Sequence, residues 1–91
     1  MKFEWDESKA ARNLRKHDIS FDEATTVFGD PLAITYPDPE HSTEEARFLT
    51  FGHSASGRLI VVSHTDRGDK IRPISAREMT RKERKDYEQI K

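Results

Sequence analysis

The 91-residue chain contains no cysteine, which excludes a disulfide framework, a thiol nucleophile and a cysteine zinc site, and accords with a reducing compartment. Apolar residues are scarce too: hydrophobic types make up 33% and charged types 36%, so any core is thin and drawn from amphipathic faces. No apolar run approaches the ~18 residues of a membrane span, and Met1-Lys2-Phe3-Glu4-Trp5-Asp6 lacks the apolar segment of a signal peptide. One small soluble domain, residues 1–91, with a cytoplasmic location and no membrane partner, is expected. The four glycines are dispersed, so no phosphate-binding glycine loop is present and nucleotide hydrolysis is disfavoured. His17, His41, His53 and His64 share no i, i+4 spacing and the carboxylates are scattered, so no metal or other cofactor is expected.

Charge is plentiful but unevenly placed. Residues 1–46 hold 5 Lys/Arg against 11 Asp/Glu, a net of −6, whereas residues 47–91 hold 11 against 6, a net of +5. A basic second half can present a cationic face to phosphates, or the two halves can neutralise each other across the fold.

Local signals predict an α+β chain: two N-terminal helices, a four-stranded, mainly antiparallel sheet, and a C-terminal helix. Asp6 suits the cap of a helix over about 7–17, with Ala10, Leu14 and His17 on one stripe. Ser20 and Glu23 form a capping box for a second helix carrying Phe21, Ala24 and Phe28 on one face, ended by Gly29 and Pro31. Strands are expected at about 32–36, 45–52, 58–65 and 70–77, with Leu59 to Val62 in the central one. Pro37 to Ser42 reads as an irregular loop and Asp66 to Asp69 as a tight turn. Thr80 and Glu83 form another capping box, opening a helix over about 81–90.

The order and spacing of several fragments resemble one small bacterial family. Phe3-Glu4-Trp5-Asp6-Glu7-Ser8-Lys9 is followed by Asn13, Lys16-His17, Ile19-Ser20-Phe21 and Glu23-Ala24. The second half adds Glu45-x-Arg47, Gly52, Ile74-Ser75-Ala76-Arg77, Glu83 and Tyr87. Together they resemble the BrnT toxins of type II toxin–antitoxin systems, over nearly the whole chain. The resemblance implies a RelE-like fold, an endoribonuclease acting on mRNA, and a cognate BrnA-like antitoxin whose DNA-binding region would connect the toxin to DNA only indirectly. Where the family usually has glycine, between the first two helices, this chain has Asp18.

Cleaving RNA without a metal requires a base for the ribose 2′-OH, a stabiliser of phosphorane charge and a proton for the leaving 5′-oxygen. If the hairpin pairs Thr65 with Lys70, then Arg58 faces Arg77, an arrangement that needs either a phosphate or a bridging carboxylate such as Glu45, Glu78 or Glu83. His64 is the acid–base candidate, with Arg77 and Arg47 as charge stabilisers and Tyr87 for stacking or hydroxyl chemistry. Arg58, Arg72, Lys70 and Lys9 are candidate RNA contacts. Asn13 and His17, beside the first helix's seam, suit hydrogen bonding that fixes the turn between helices, and Trp5 suits closure of the core. The rival reading is a non-enzymatic RNA- or protein-binding module acting as an antitoxin-bound co-repressor.

Overall fold

The computed structural model describes residues 1–41 and 45–90. Along these run β1 (Lys2–Phe3), α1 (Glu7–His17), α2 (Phe21–Thr26), a 3₁₀ turn (Val27–Gly29), β2 (Ile34–Pro37) and a second 3₁₀ turn (Pro39–His41). Then follow β3 (Arg47–His53), β4 (Leu59–Arg67), β5 (Lys70–Glu78) and α3 (Arg81–Ile90). Ser42, the last residue of the expected irregular loop, lies outside the described residues.

The expected caps are formed. Asp6 accepts the backbone N–H groups of Ser8 and Lys9, and Ser20 Oγ accepts that of Glu23. Thr80 and Glu83 exchange both bonds of a capping box, at 2.8 and 3.1 Å. Asp18 is left-handed at φ 57°, a conformation in which its short polar side chain is tolerated better than most.

The sheet has five strands rather than the four expected, in the order β1-β5-β4-β3-β2, with β4 central. The additional strand is β1, which pairs parallel to the start of β5, Phe3 opposite Ile71, and makes the sheet mixed. Two residues show no alternation, so nothing in their sequence announces a strand.

The hairpin register also departs from expectation. Pairing runs on to Arg67 opposite Lys70 across a turn at Gly68 and Asp69, and it slips between Ser63 and His64, where a bulge leaves Ile74 unopposed. One extra residue reverses the faces of everything beyond it. Arg77 therefore stands opposite Val61 instead of Arg58, and the expected arginine pair does not exist.

Each face of the sheet carries its own core. On the first, α1 and α2 cover Ile60, Val62 and Ala76 with Ile19, Ala24 and Val27, and Trp5 sets its ring edge against Phe21. Leu14, expected in the seam of α1, is 49% exposed; the buried residue of that helix is Asn13. On the second face, α3 brings Tyr87 against Val61 and Met79, with Ile34, Leu49, Phe51 and Leu59 around them. Gly52 lies where β3 crosses the 3₁₀ turn after α2, and an added Cβ there would meet Ala33, Asp30 and Val27 atoms at 3.1 Å. No helix among the described residues is long and apolar enough to cross a membrane.

Candidate nucleic-acid interface

The helix α3 covers only one end of the second face. Residues opposed on neighbouring strands share a face, and at the uncovered end the pairing aligns Arg47, Thr65 and Arg72 across β3, β4 and β5. The backbone N–H of Asp38 donates to the carbonyl of Arg47 at 2.8 Å, continuing the ladder beyond β2 and adding Asp38 to the row. At the other end Glu4, just past β1, accepts from Arg72 at 3.3 Å and lies 3.7 Å from the ammonium of Lys70. The next row holds Tyr36, Leu49, Ser63 and Ser75, and the one after it Ile34, Phe51, Val61 and Arg77.

Thr65 is 1% exposed, and its hydroxyl has no hydrogen-bond partner among the described residues. A buried hydroxyl without a partner costs about 1–3 kcal/mol. In the register Thr65 stands between Arg47 and Arg72, residue types that together suit an anion taking the hydroxyl hydrogen and both cationic forks.

Neighbouring charges are moderated by carboxylates. Arg67 is held by Glu45 at 3.2 Å. Arg77 makes a bidentate pair with Glu83 at 2.7 and 3.0 Å, which ties the end of β5 to the first turn of α3. That hydrogen bonding drops the Glu83 carboxyl from its ordinary 4.5 to about 2, with the Thr80 backbone N–H assisting, and raises the Arg77 guanidinium.

Several expected site residues lie elsewhere. His64 is in the first core, its side chain 4% exposed, with Nε2 2.7 Å from Thr50 Oγ1 and Nδ1 3.3 Å from Asp66. Phe28 meets its ring edge-on and Phe48 stacks on it. Burial favours the neutral imidazole and lowers its pKa, against the opposing pull of Asp66. A substrate on the open face does not reach it, because side chains alternate and His64 belongs to the other side of β4. Arg58 also belongs to the first side, where its guanidinium bonds Glu23 at 2.6 and 3.0 Å and the Asp18 carbonyl at 2.8 Å. Ser54 and Ser56 bond the same carboxylate, which falls to about 2, chiefly through Arg58.

Tyr87 is on the correct face but 3% exposed, its hydroxyl donating to Asp30 or the Leu32 carbonyl, each at 3.3 Å. Desolvation first, and then the Asp30 carboxylate, raise its pKa. Beside it a groove of about 400 Å³ runs between α3 and the outer strands, lined by Ile34, Tyr36, Leu49, Phe51 and Ile90. Lys9 lines a smaller depression between α1 and β5 with Arg12, Lys16, His17 and Ser75.

In the sequence His41 stands out only as one of four histidines without metal-ligand spacing. It ends the second 3₁₀ turn, its Nδ1 2.9 Å from Asp38, whose backbone is bonded to Arg47. The spacing Asp38-x-x-His41 was the available signal.

Compared with known proteins, residues 5–83 match the family model described as the ribonuclease toxin BrnT of type II toxin–antitoxin systems. The chain is similar in structure to the ribonuclease toxin BrnT of Brucella abortus, with a TM-score of 0.69 and 25% identity over 89% of this chain and 99% of that one. No curated protein matches it in sequence.

Proposed function

The chain belongs to the BrnT family of ribonuclease toxins of type II toxin–antitoxin systems, and on that premise we propose that it cleaves mRNA on the open end of the second sheet face. The row Arg47-Thr65-Arg72 carries this reading, because it joins two arginines to a buried hydroxyl that has no partner among the described residues. A scissile phosphate seated there draws Arg47 and Arg72 onto itself, and their movement opens the buried Thr65 O–H to it. Both cations then stabilise the charge that builds on the phosphorane.

The reaction is metal-independent transesterification, as in RelE-like enzymes. The 2′-oxygen loses its proton and bonds to phosphorus, the bond to the 5′-oxygen breaks, and that oxygen takes up a proton. The products are a 2′,3′-cyclic phosphate and a free 5′-hydroxyl. Arg77 and Lys70 extend the cationic face along β5, and Lys9 continues it around the strand's edge. Tyr87 acts by docking α3, and through α3 Glu83 holds Arg77. The cleavage arrests translation in the cytoplasm until a BrnA-like antitoxin binds the toxin, and any contact with DNA is made through that antitoxin.

The test is cleavage of a purified, ribosome-free RNA by the isolated protein in excess EDTA. The Arg47→Ala and Arg72→Ala variants should each cleave ~100-fold or more slowly, the usual cost of removing one donor to a developing oxyanion. Arg58→Ala, whose partner is Glu23, should leave the rate per folded molecule unchanged. Wild-type cleavage by both row variants would refute the site, and cleavage abolished by EDTA would refute the metal-free mechanism.

A further inference from the structure

The open face supplies cations and a hydroxyl, but the proposed reaction also requires a group that removes a proton. Among the described histidines, His64 is enclosed with both ring nitrogens engaged. His17 lies at the end of α1, on the depression shared with Lys9. His53 has its Nδ1 3.4 Å from Asp30, but that carboxylate already accepts the His53 backbone N–H at 2.7 Å and faces the Tyr87 hydroxyl. His53 is also six residues along β3 from Arg47, about 20 Å at strand rise.

His41 differs on each count. Its ring is 61% exposed, whereas the Asp38 carboxylate that meets Nδ1 at 2.9 Å is 14% exposed and thus fixed in place. Asp38 stands opposite Arg47 in the continued ladder, so their Cα atoms are about 5 Å apart. A carboxylate accepting the Nδ1–H selects one tautomer, with the lone pair on Nε2 directed away from the carboxylate.

Resting on the proposed site, we infer that His41 is the general base of RNA cleavage and that Asp38 is its positioning residue. Nε2 takes the proton of the 2′-OH as that oxygen bonds to phosphorus. The departing 5′-oxygen is protonated by water, and the imidazolium returns its proton to solvent before the next turnover. Arg47, next in the row, bears on the phosphorane beside the same imidazole.

The experiment compares the full chain with His41→Ala, His41→Gln, Asp38→Asn and Arg72→Ala on one ribosome-free RNA, after thermal melting confirms each fold. Both His41 variants should lose 10²–10⁴ in kcat with KM nearly unchanged, and added imidazole should restore part of the loss in His41→Ala. Asp38→Asn should lower kcat tenfold or more at constant KM. A wild-type kcat in both His41 variants, alongside a slow Arg72→Ala, would overturn the assignment of His41 and leave the phosphate row standing. If Arg72→Ala is also unimpaired, the row itself has failed. Full recovery of His41→Ala on a substrate with a 5′-thio leaving group, which needs no proton, would overturn the base role and make His41 the acid.

Discussion

Replacing Asn13 with alanine removes one side chain that completes two pieces of backbone at once. Its amide donates to the carbonyls of Ile19 at 3.0 Å and Ala76 at 2.9 Å and accepts the N–H of Ala76 at 2.9 Å. Beyond Ile71 the outer edge of β5 has no paired strand among the described residues, because β1 covers only its first two residues. The Asn13 carboxamide takes the place a neighbouring peptide group would have there, and the same nitrogen fixes the turn between α1 and α2. Asn13 is 5% exposed and Ala76 fully buried, so truncation strands one N–H and two carbonyls. At about 1–3 kcal/mol each, and with some water entering, the loss should be about 3 kcal/mol. Total stability for a chain of this size is of the order of 5–14 kcal/mol. In urea unfolding, with m about 1–1.5 kcal/mol/M, the midpoint should fall by ~2 M at unchanged slope. Asn13→Asp retains an acceptor for the Ala76 N–H but sets a carboxylate against two carbonyl oxygens, and should be at least as damaging. A midpoint shift under ~0.5 M in Asn13→Ala, with m unchanged, would refute the strand-substitute role.

Two further outcomes follow from the same packing. Glu23 and Glu83 have folded-state pKa values of about 2 against an ordinary 4.5, so their contribution is complete above pH 4.5 and is lost as pH falls toward 2. Acid unfolding followed by circular dichroism should show that loss, worth roughly 2 kcal/mol per group after solvent screening, and Glu23→Gln with Glu83→Gln should flatten the curve over that interval. Gly52→Ala drives a Cβ to 3.1 Å from the Ala33 Cβ, a Val27 methyl and an Asp30 carboxylate oxygen; thermal melting should show a loss of about 1–3 kcal/mol, and a neutral substitution would mean that the 3₁₀ turn yields freely.

What was legible in the sequence was local. Asp6, Ser20 and the Thr80–Glu83 box announce helix starts because a cap is decided within four residues. Arg47, Lys70, Arg72 and Arg77 were identified as cationic candidates, and the pairing puts them on one face. Arg58 and His64 were separated from Arg77 because sheet parity depends on every residue between the turn and the site, and the bulge at Ile74 shifts Arg77 to the face of Lys70 and Arg72. β1 was missed because two residues carry no period. The Asp38–His41 pair was missed because an i, i+3 contact in a proline-rich stretch gains its interest only when the ladder puts Asp38 opposite Arg47.

The pairing of β1 with β5 also bears on how the molecule is born. β1 must wait for residues 70 and 71 to be translated before it has this partner, and until then Glu4 cannot reach Arg72 or Lys70. Thr65 likewise lacks its second arginine until β5 is translated. A nascent chain that holds only β1 to β4 therefore lacks Arg72, one side of the proposed phosphate site. For a member of a ribonuclease toxin family, that order of assembly keeps the proposed site incomplete until β5 has been translated.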